Sequence, residues 1–135
     1  MYPEELMTNV YWGFYGNKFN SLEKFTQEVI SYNNECENEW IPTEIVLDCP
    51  VVTIQYSHWK NEEEIVEDYV DLAADNQSNF TAGELLYKIH NQVVDVLKEE
   101  NHQFFEGLTL LKEEKGKKTN PPTYFINQKA IELFC

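Results

Sequence analysis

The strongest hydrophobic pattern in the chain runs from Phe80 to Gly107, FTAGELLYKIHNQVVDVLKEENHQFFEG. Leu86, Ile89, Val93 and Leu97 recur every three or four residues, and Leu85 and Val96 widen the same face. That period predicts an amphipathic helix whose apolar stripe is buried. Its start carries three matching signals: Thr81 as N-cap, Glu84 completing a capping box, and Phe80 positioned to staple onto Leu85. The polar run from Lys98 to Asn101 closes it. This segment is expected to be the central helix of the fold.

On either side of it the period shortens. Val10 to Tyr15, VYWGFY, is aromatic-rich and predicts a strand, with Gly13 allowing a bulge or a close contact. Gly16 and Asn17 make a turn, and Asn20 with Glu23 opens a second helix that buries Leu22, Phe25, Val29 and Ile30. That helix fades near Asn33 and Asn34 into a polar loop. From Glu44 to Trp59, Val52, Ile54, Tyr56 and His58 alternate with Thr53, Gln55 and Ser57, the pattern of a half-buried strand. Pro50 cannot donate to a ladder and marks an edge, a bulge or a break there. Residues 62–74 fit either a helix capped by Asn61 or a strand with Val66, Val70 and Leu72 on one face and Ile65 and Tyr69 on the other. A hairpin with residues 51–59 supplies an immediate partner, so the strand is the reading taken. Phe104 to Lys112 reads as a strand and Pro121 to Asn127 as its return, with Gly116 in the charged turn between them. Gln128 to Cys135 reads as a short terminal helix. The order β-α-β-β-α-β-β predicts one α+β domain over residues 1–135, a mainly antiparallel sheet with two principal helices packed on one face.

Composition adds the charge. Against 24 Asp and Glu stand ten lysines and no arginine, a formal net charge of −14. Such a field repels nucleic acid and anionic membranes and attracts basic proteins. No apolar run approaches the roughly 20 residues needed to span a bilayer, and the acidic N-terminus MYPEELMT lacks the regions of a secretion signal. Cys36, Cys49 and Cys135 are an odd number with no paired framework, which suggests free thiols in a reducing compartment. A cytoplasmic location is therefore expected.

The chain offers little for catalysis. His90 falls within the apolar stripe, where a histidine hydrogen-bonded to backbone or to a tyrosine competes with a general base. A ligand-binding or enzymatic domain would be built around His90, Tyr87 and His102. No HExxH, paired CxxC or acidic calcium loop is present, and neither Cys36 nor Cys49 has an adjacent positive charge to activate it. The expectation is a non-enzyme without metal or cofactor.

Acidic clustering is the one functional signal above background. Twelve carboxylates lie between Glu35 and Asp75, with Lys60 their only basic neighbour. A solvated, solubilising face is one reading. A partner-binding surface is the other, because the aromatic side chains that anchor interfaces are interleaved with the acids. The residues expected to carry it are Glu62, Glu63, Glu64, Glu67, Asp68, Asp71, Asp75, Trp59 and Tyr69.

In overall character, and in the segments FTAGELLYKIHN and HQFFEGLTL, the chain resembles bacterial immunity proteins, the antidotes encoded beside secreted toxins. The resemblance implies a cytoplasmic inhibitor of a basic, nuclease-type toxin, the candidate partner being the product of a nearby gene. An acidic nucleic-acid mimic would use the same electrostatics on a DNA-binding protein.

Overall fold

A computed structural model of the chain describes residues 2–61, 63–98, 104–111 and 121–129. It is an α+β fold. A five-stranded sheet runs in the order β1 (Glu5–Leu6), β6 (Phe104–Leu110), β7 (Thr123–Lys129), β3 (Val51–Asn61), β4 (Glu64–Ala73). A small second sheet pairs β2 (Ile45–Leu47) with β5 (Phe80–Thr81). The two helices are α1 (Leu22–Glu35) and α2 (Ala82–Leu97). The main sheet is antiparallel except between β3 and β7, which run parallel from Thr53 opposite Thr123 to Gln55 opposite Phe125.

α2 is the buried helix that its periodicity predicts. Leu85, Leu86, Ile89, Val93 and Leu97 are fully buried. It packs on β3 and on α1, so it forms the layer next to the sheet. His90 is buried within the stripe, as its position predicts, and the stripe departs from expectation only in that Val96 is exposed while Val94 has no exposed surface. Thr81 Oγ1 accepts from the Glu84 amide at 3.2 Å, so the N-cap forms. The return half of the capping box does not. Thr81 lies in β5 opposite Ile45, and the Glu84 carboxylate instead accepts from the Asp75 amide and from Lys88 Nζ, each at 2.8 Å.

α1 starts one residue later than expected. Ser21 is the N-cap, its Oγ accepting from the Lys24 amide at 3.2 Å. Phe25 and Val29 are buried and Ile30 is half-buried, but Leu22 is exposed. The helices meet closely at Gly83, where a Cβ would stand 2.9 Å from Thr26 Cγ2 and 3.0 Å from Pro42 Cβ.

The segment Val10 to Tyr15 is not a strand. Only Gly13 bridges to Phe104. Its backbone groups are taken by a side chain: the Tyr11 amide donates to Asn33 Oδ1 at 2.9 Å, and Asn33 Nδ2 donates to the Tyr11 carbonyl at 3.0 Å. Buried Asn33 thus ties the segment to α1 and leaves Trp12 and Phe14 in the core.

Pro50 separates β2 from β3, so the long strand candidate is two strands in different sheets. Residues 64–73 form the second arm of a hairpin, from Val51 opposite Ala73 to Trp59 opposite Ile65. The first arm continues through Lys60 and Asn61, beyond the residues 51–59 expected for it. β6 ends at Leu110, short of Lys112, and is bulged between Phe105 and Leu108. Gly107 sits in the bulge at φ +104°, with the Leu6 carbonyl 3.0 Å from where a Cβ would stand. The expected turn at Gly116 lies outside the described residues. So does the terminal helix beyond Lys129, whose first two residues belong to β7. Cys36 is disulfide-bonded and Cys49 is free and buried, which corrects the expectation of three free thiols. No described helix is long and apolar enough to cross a membrane.

Candidate functional site

Alternation along β3 and β4 decides which side of the sheet each candidate residue occupies. Val52, Ile54 and Leu72 are buried and Val70 packs against the core, so the even-numbered positions face the helices. Thr53, Gln55, Ser57 and Trp59, with their partners Asp71, Tyr69, Glu67 and Ile65, occupy the opposite, open face. The expected site is therefore divided. Trp59, Glu67, Tyr69 and Asp71 share the open face. Glu64 and Asp68 lie on the helix side near the hairpin tip, Glu63 is in the turn, and Asp75 follows the hairpin. Glu62 lies outside the described residues.

The open face combines exposed apolar groups with held carboxylates. Trp59, Ile65 and Tyr69 are 48%, 56% and 61% exposed. Gln55 Nε2 donates to Glu67 Oε2 at 2.8 Å, and Thr53 Oγ1 donates to Asp71 Oδ1 at 2.6 Å. These cross-strand bonds restrict both acids, so less side-chain freedom remains to be lost on binding. Across the sheet, Glu5, Ser57, Trp59, Ile65, Glu106, Phe125 and Asn127 border a shallow depression of about 550 Å³ that has two further carboxylates and no lysine among the described residues of its lining.

Three other expected acids lie against basic side chains of the chain itself, Glu64 Oε2 standing 3.9 Å from Lys60 Nζ. Asp75 Oδ1 accepts from Lys88 Nζ at 2.8 Å, beside the Glu84 contact. Burial works against the charge on Lys88, but the bonds from Asp75 and Glu84 outweigh it and raise its pKa. Asp68 Oδ2 lies 2.6 Å from His58 Nε2. Burial, followed by the charge of Asp68, raises the pKa of Tyr56 beside it.

The alternative site around His90 is closed. Its Nδ1 accepts from the Trp12 indole N–H at 3.1 Å, which leaves Nε2 to donate to the Asn17 carbonyl at 2.9 Å. The rings of Trp12, Phe14, Phe19 and Phe25 pack around it. Burial holds its pKa below the usual histidine value, so the neutral ring is the stable form. Tyr87 bonds the Phe19 carbonyl, and His102 lies outside the described residues. Both nitrogens of His90 are occupied by structural bonds. Among the described residues no cluster of three or more His, Cys, Asp or Glu could hold a metal.

Sequence reasoning placed Ile65 on one face with Tyr69 without counting it in the site, and missed Glu5, Glu106 and Phe125 as members of the open face. Ile65 carried a signal, since it sits opposite Val66 and Val70 in the alternation. Glu5, Glu106 and Phe125 reach the face only through long-range strand pairing. No protein-family model, characterised protein or solved structure matches this chain.

Proposed function

We propose that the protein is a non-catalytic inhibitor of the immunity type, which binds a basic, nuclease-type toxin through its open sheet face and blocks the toxin's phosphate-binding cleft. One observation carries the reading: Trp59, Ile65 and Tyr69 are exposed on one face of the sheet, where Glu67 and Asp71 are held by Gln55 and Thr53. Exposed aromatic groups of this kind fill partner pockets, and the carboxylates around them match a basic surface. The partner is the product of a neighbouring gene in a bacterial genome, met in the cytoplasm. A reducing cytoplasm disfavours the disulfide at Cys36, so the location rests on the immunity reading rather than on the cysteines.

The test is inhibition. Adding this protein to the neighbouring gene's product should abolish nuclease activity at a one-to-one ratio. The double variant Trp59→Ala, Tyr69→Ala should weaken the complex by at least about 30-fold, the effect of losing a binding hot spot. Full nuclease activity in the presence of excess protein contradicts the reading. Displacement of DNA from a DNA-binding protein, with the nuclease untouched, would assign the face to nucleic-acid mimicry instead.

A further inference from the structure

Among the described residues β4 is a free sheet edge ten residues long, and its hydrogen-bonding phase follows from a single bond. The Ala74 amide donates to the Pro50 carbonyl at 2.8 Å, which makes Pro50–Ala74 a hydrogen-bonded pair of the antiparallel ladder. Stepping by two along the register, Val52–Leu72, Ile54–Val70, Tyr56–Asp68 and His58–Val66 are also hydrogen-bonded pairs. The pairs between them are not. A second bond agrees: the Thr53 amide turns away from β4 and donates to the Pro122 carbonyl at 2.9 Å. Ile65, Glu67, Tyr69 and Asp71 therefore aim their backbone N–H and C=O groups outward, where no described strand lies. The row spans about 20 Å at ~3.4 Å per residue. Lys88 Nζ ends it by bonding the Ala73 carbonyl.

The side chains along this edge have a repeat of their own. Glu64-Ile65-Val66-Glu67-Asp68-Tyr69-Val70-Asp71 reads acid, apolar, apolar, acid, acid, apolar, apolar, acid. The pattern is the same in both directions. It puts an acid and an apolar group alternately on each face of the edge. An incoming strand fits if it reads basic, apolar, apolar, basic, basic, apolar, apolar, basic, whether it runs parallel or antiparallel. A second copy of β4 fits poorly, because outward residues meet outward residues only in antiparallel registers that pair odd with odd positions. The registers centred on Val66, Glu67, Asp68 and Tyr69 oppose Glu64 to Asp68, Glu67 to Glu67, Asp68 to Asp68 and Glu67 to Asp71, like charges that are destabilising. The charges thus guard the edge against self-pairing while leaving it open to a basic strand.

We infer that β4 accepts an extended basic segment of the partner by strand addition, hydrogen-bonded to Ile65, Glu67, Tyr69 and Asp71 and read by the four carboxylates from Glu64 to Asp71. The inference deepens the proposed function and rests on it for the basic partner. Main-chain bonds supply the attachment, and the alternating acids supply the selection.

The experiment uses the whole protein and the capped peptide Lys-Val-Val-Lys-Lys-Val-Val-Lys. Amide exchange is followed residue by residue by NMR. Peptide should slow exchange at Ile65, Glu67, Tyr69 and Asp71 by at least about tenfold, while Val66, Asp68 and Val70, already bonded to β3, change little. Glu67→Pro should fold as well as Glu67→Ala, since the amide it removes is unused, yet bind the peptide at least tenfold more weakly than Glu67→Ala. Peptide binding that shifts the Trp59 and Tyr69 rings without protecting the four amides overturns strand addition and leaves the open-face reading standing. No binding overturns strand addition as well, and inhibition of the neighbouring gene's product still decides the function. Protection of the same amides without peptide, growing with protein concentration, means that a second copy occupies the edge and overturns the inference too.

Discussion

His90 and Glu84 are buried polar side chains, and each is held by specific bonds rather than left for chemistry. The neutral imidazole links the Trp12 indole to the Asn17 carbonyl within a ring of aromatic side chains. Because burial lowers its folded-state pKa below the ordinary value, protonation favours the unfolded chain. Stability from this group is present above about pH 6.5 and is lost as pH falls from there toward the lowered folded value. Unfolding free energies from urea titrations between about pH 7.5 and 5 should decline as pH falls, with a slope from this group of at most one proton, about 1.4 kcal/mol per pH unit. A flat profile would mean that the ring charges without cost and is not enclosed. Thr81 makes only the forward half of its box, so Thr81→Ala should lower stability by about 1 kcal/mol in denaturant. An unchanged midpoint would remove the cap from the account.

Among the elements, α2 is the one on which packing depends most. Leu86→Ala or Ile89→Ala should cost roughly 2–5 kcal/mol, since both side chains are fully buried. Gly83→Ala should cost about 1–3 kcal/mol despite the better helix propensity of alanine, because the new methyl group meets Thr26 and Pro42. A more stable Gly83→Ala protein would show that the two helices can separate there. α2 was legible because its stripe and its N-cap are both local. β4 was legible once β3 offered a partner for its alternation. Val10 to Tyr15 misled because its partner is a side chain: Asn33, 22 residues away, takes the backbone bonds a strand would have made. β1 is two residues long and exists only through β6, so nothing local announces it. The acids of the candidate site were plain in the sequence. Their division between two faces follows from the alternation of Val66, Val70 and Leu72 against Ile65 and Tyr69, a consequence that grouping the acids as one site overlooked.

At the scale of the molecule, a net charge of −14 puts self-repulsion and partner attraction in the same field. Raising salt from low concentration to ~0.15 M should increase the melting temperature, since repulsion between exposed carboxylates is screened over about 8 Å there. A melting temperature independent of salt would mean that the carboxylates are already balanced by local contacts such as those of Lys88. The same screening should weaken binding, and a measured opposition of the two effects is what the proposed recognition role of the acidic face requires. The most direct measurement is stopped-flow association with the neighbouring gene's product across a salt series, comparing the natural chain with the variant Glu5→Gln, Glu67→Gln, Asp71→Asn, Glu106→Gln. These amides keep the shape of the open face and remove its charge. The natural chain should associate at a rate rising toward ~10⁸ M⁻¹s⁻¹ at low salt and falling steeply as salt is added. The variant should be slower and nearly independent of salt. Equal rates with equal salt slopes would contradict the account, because the carboxylates of the open face would then serve solubility alone.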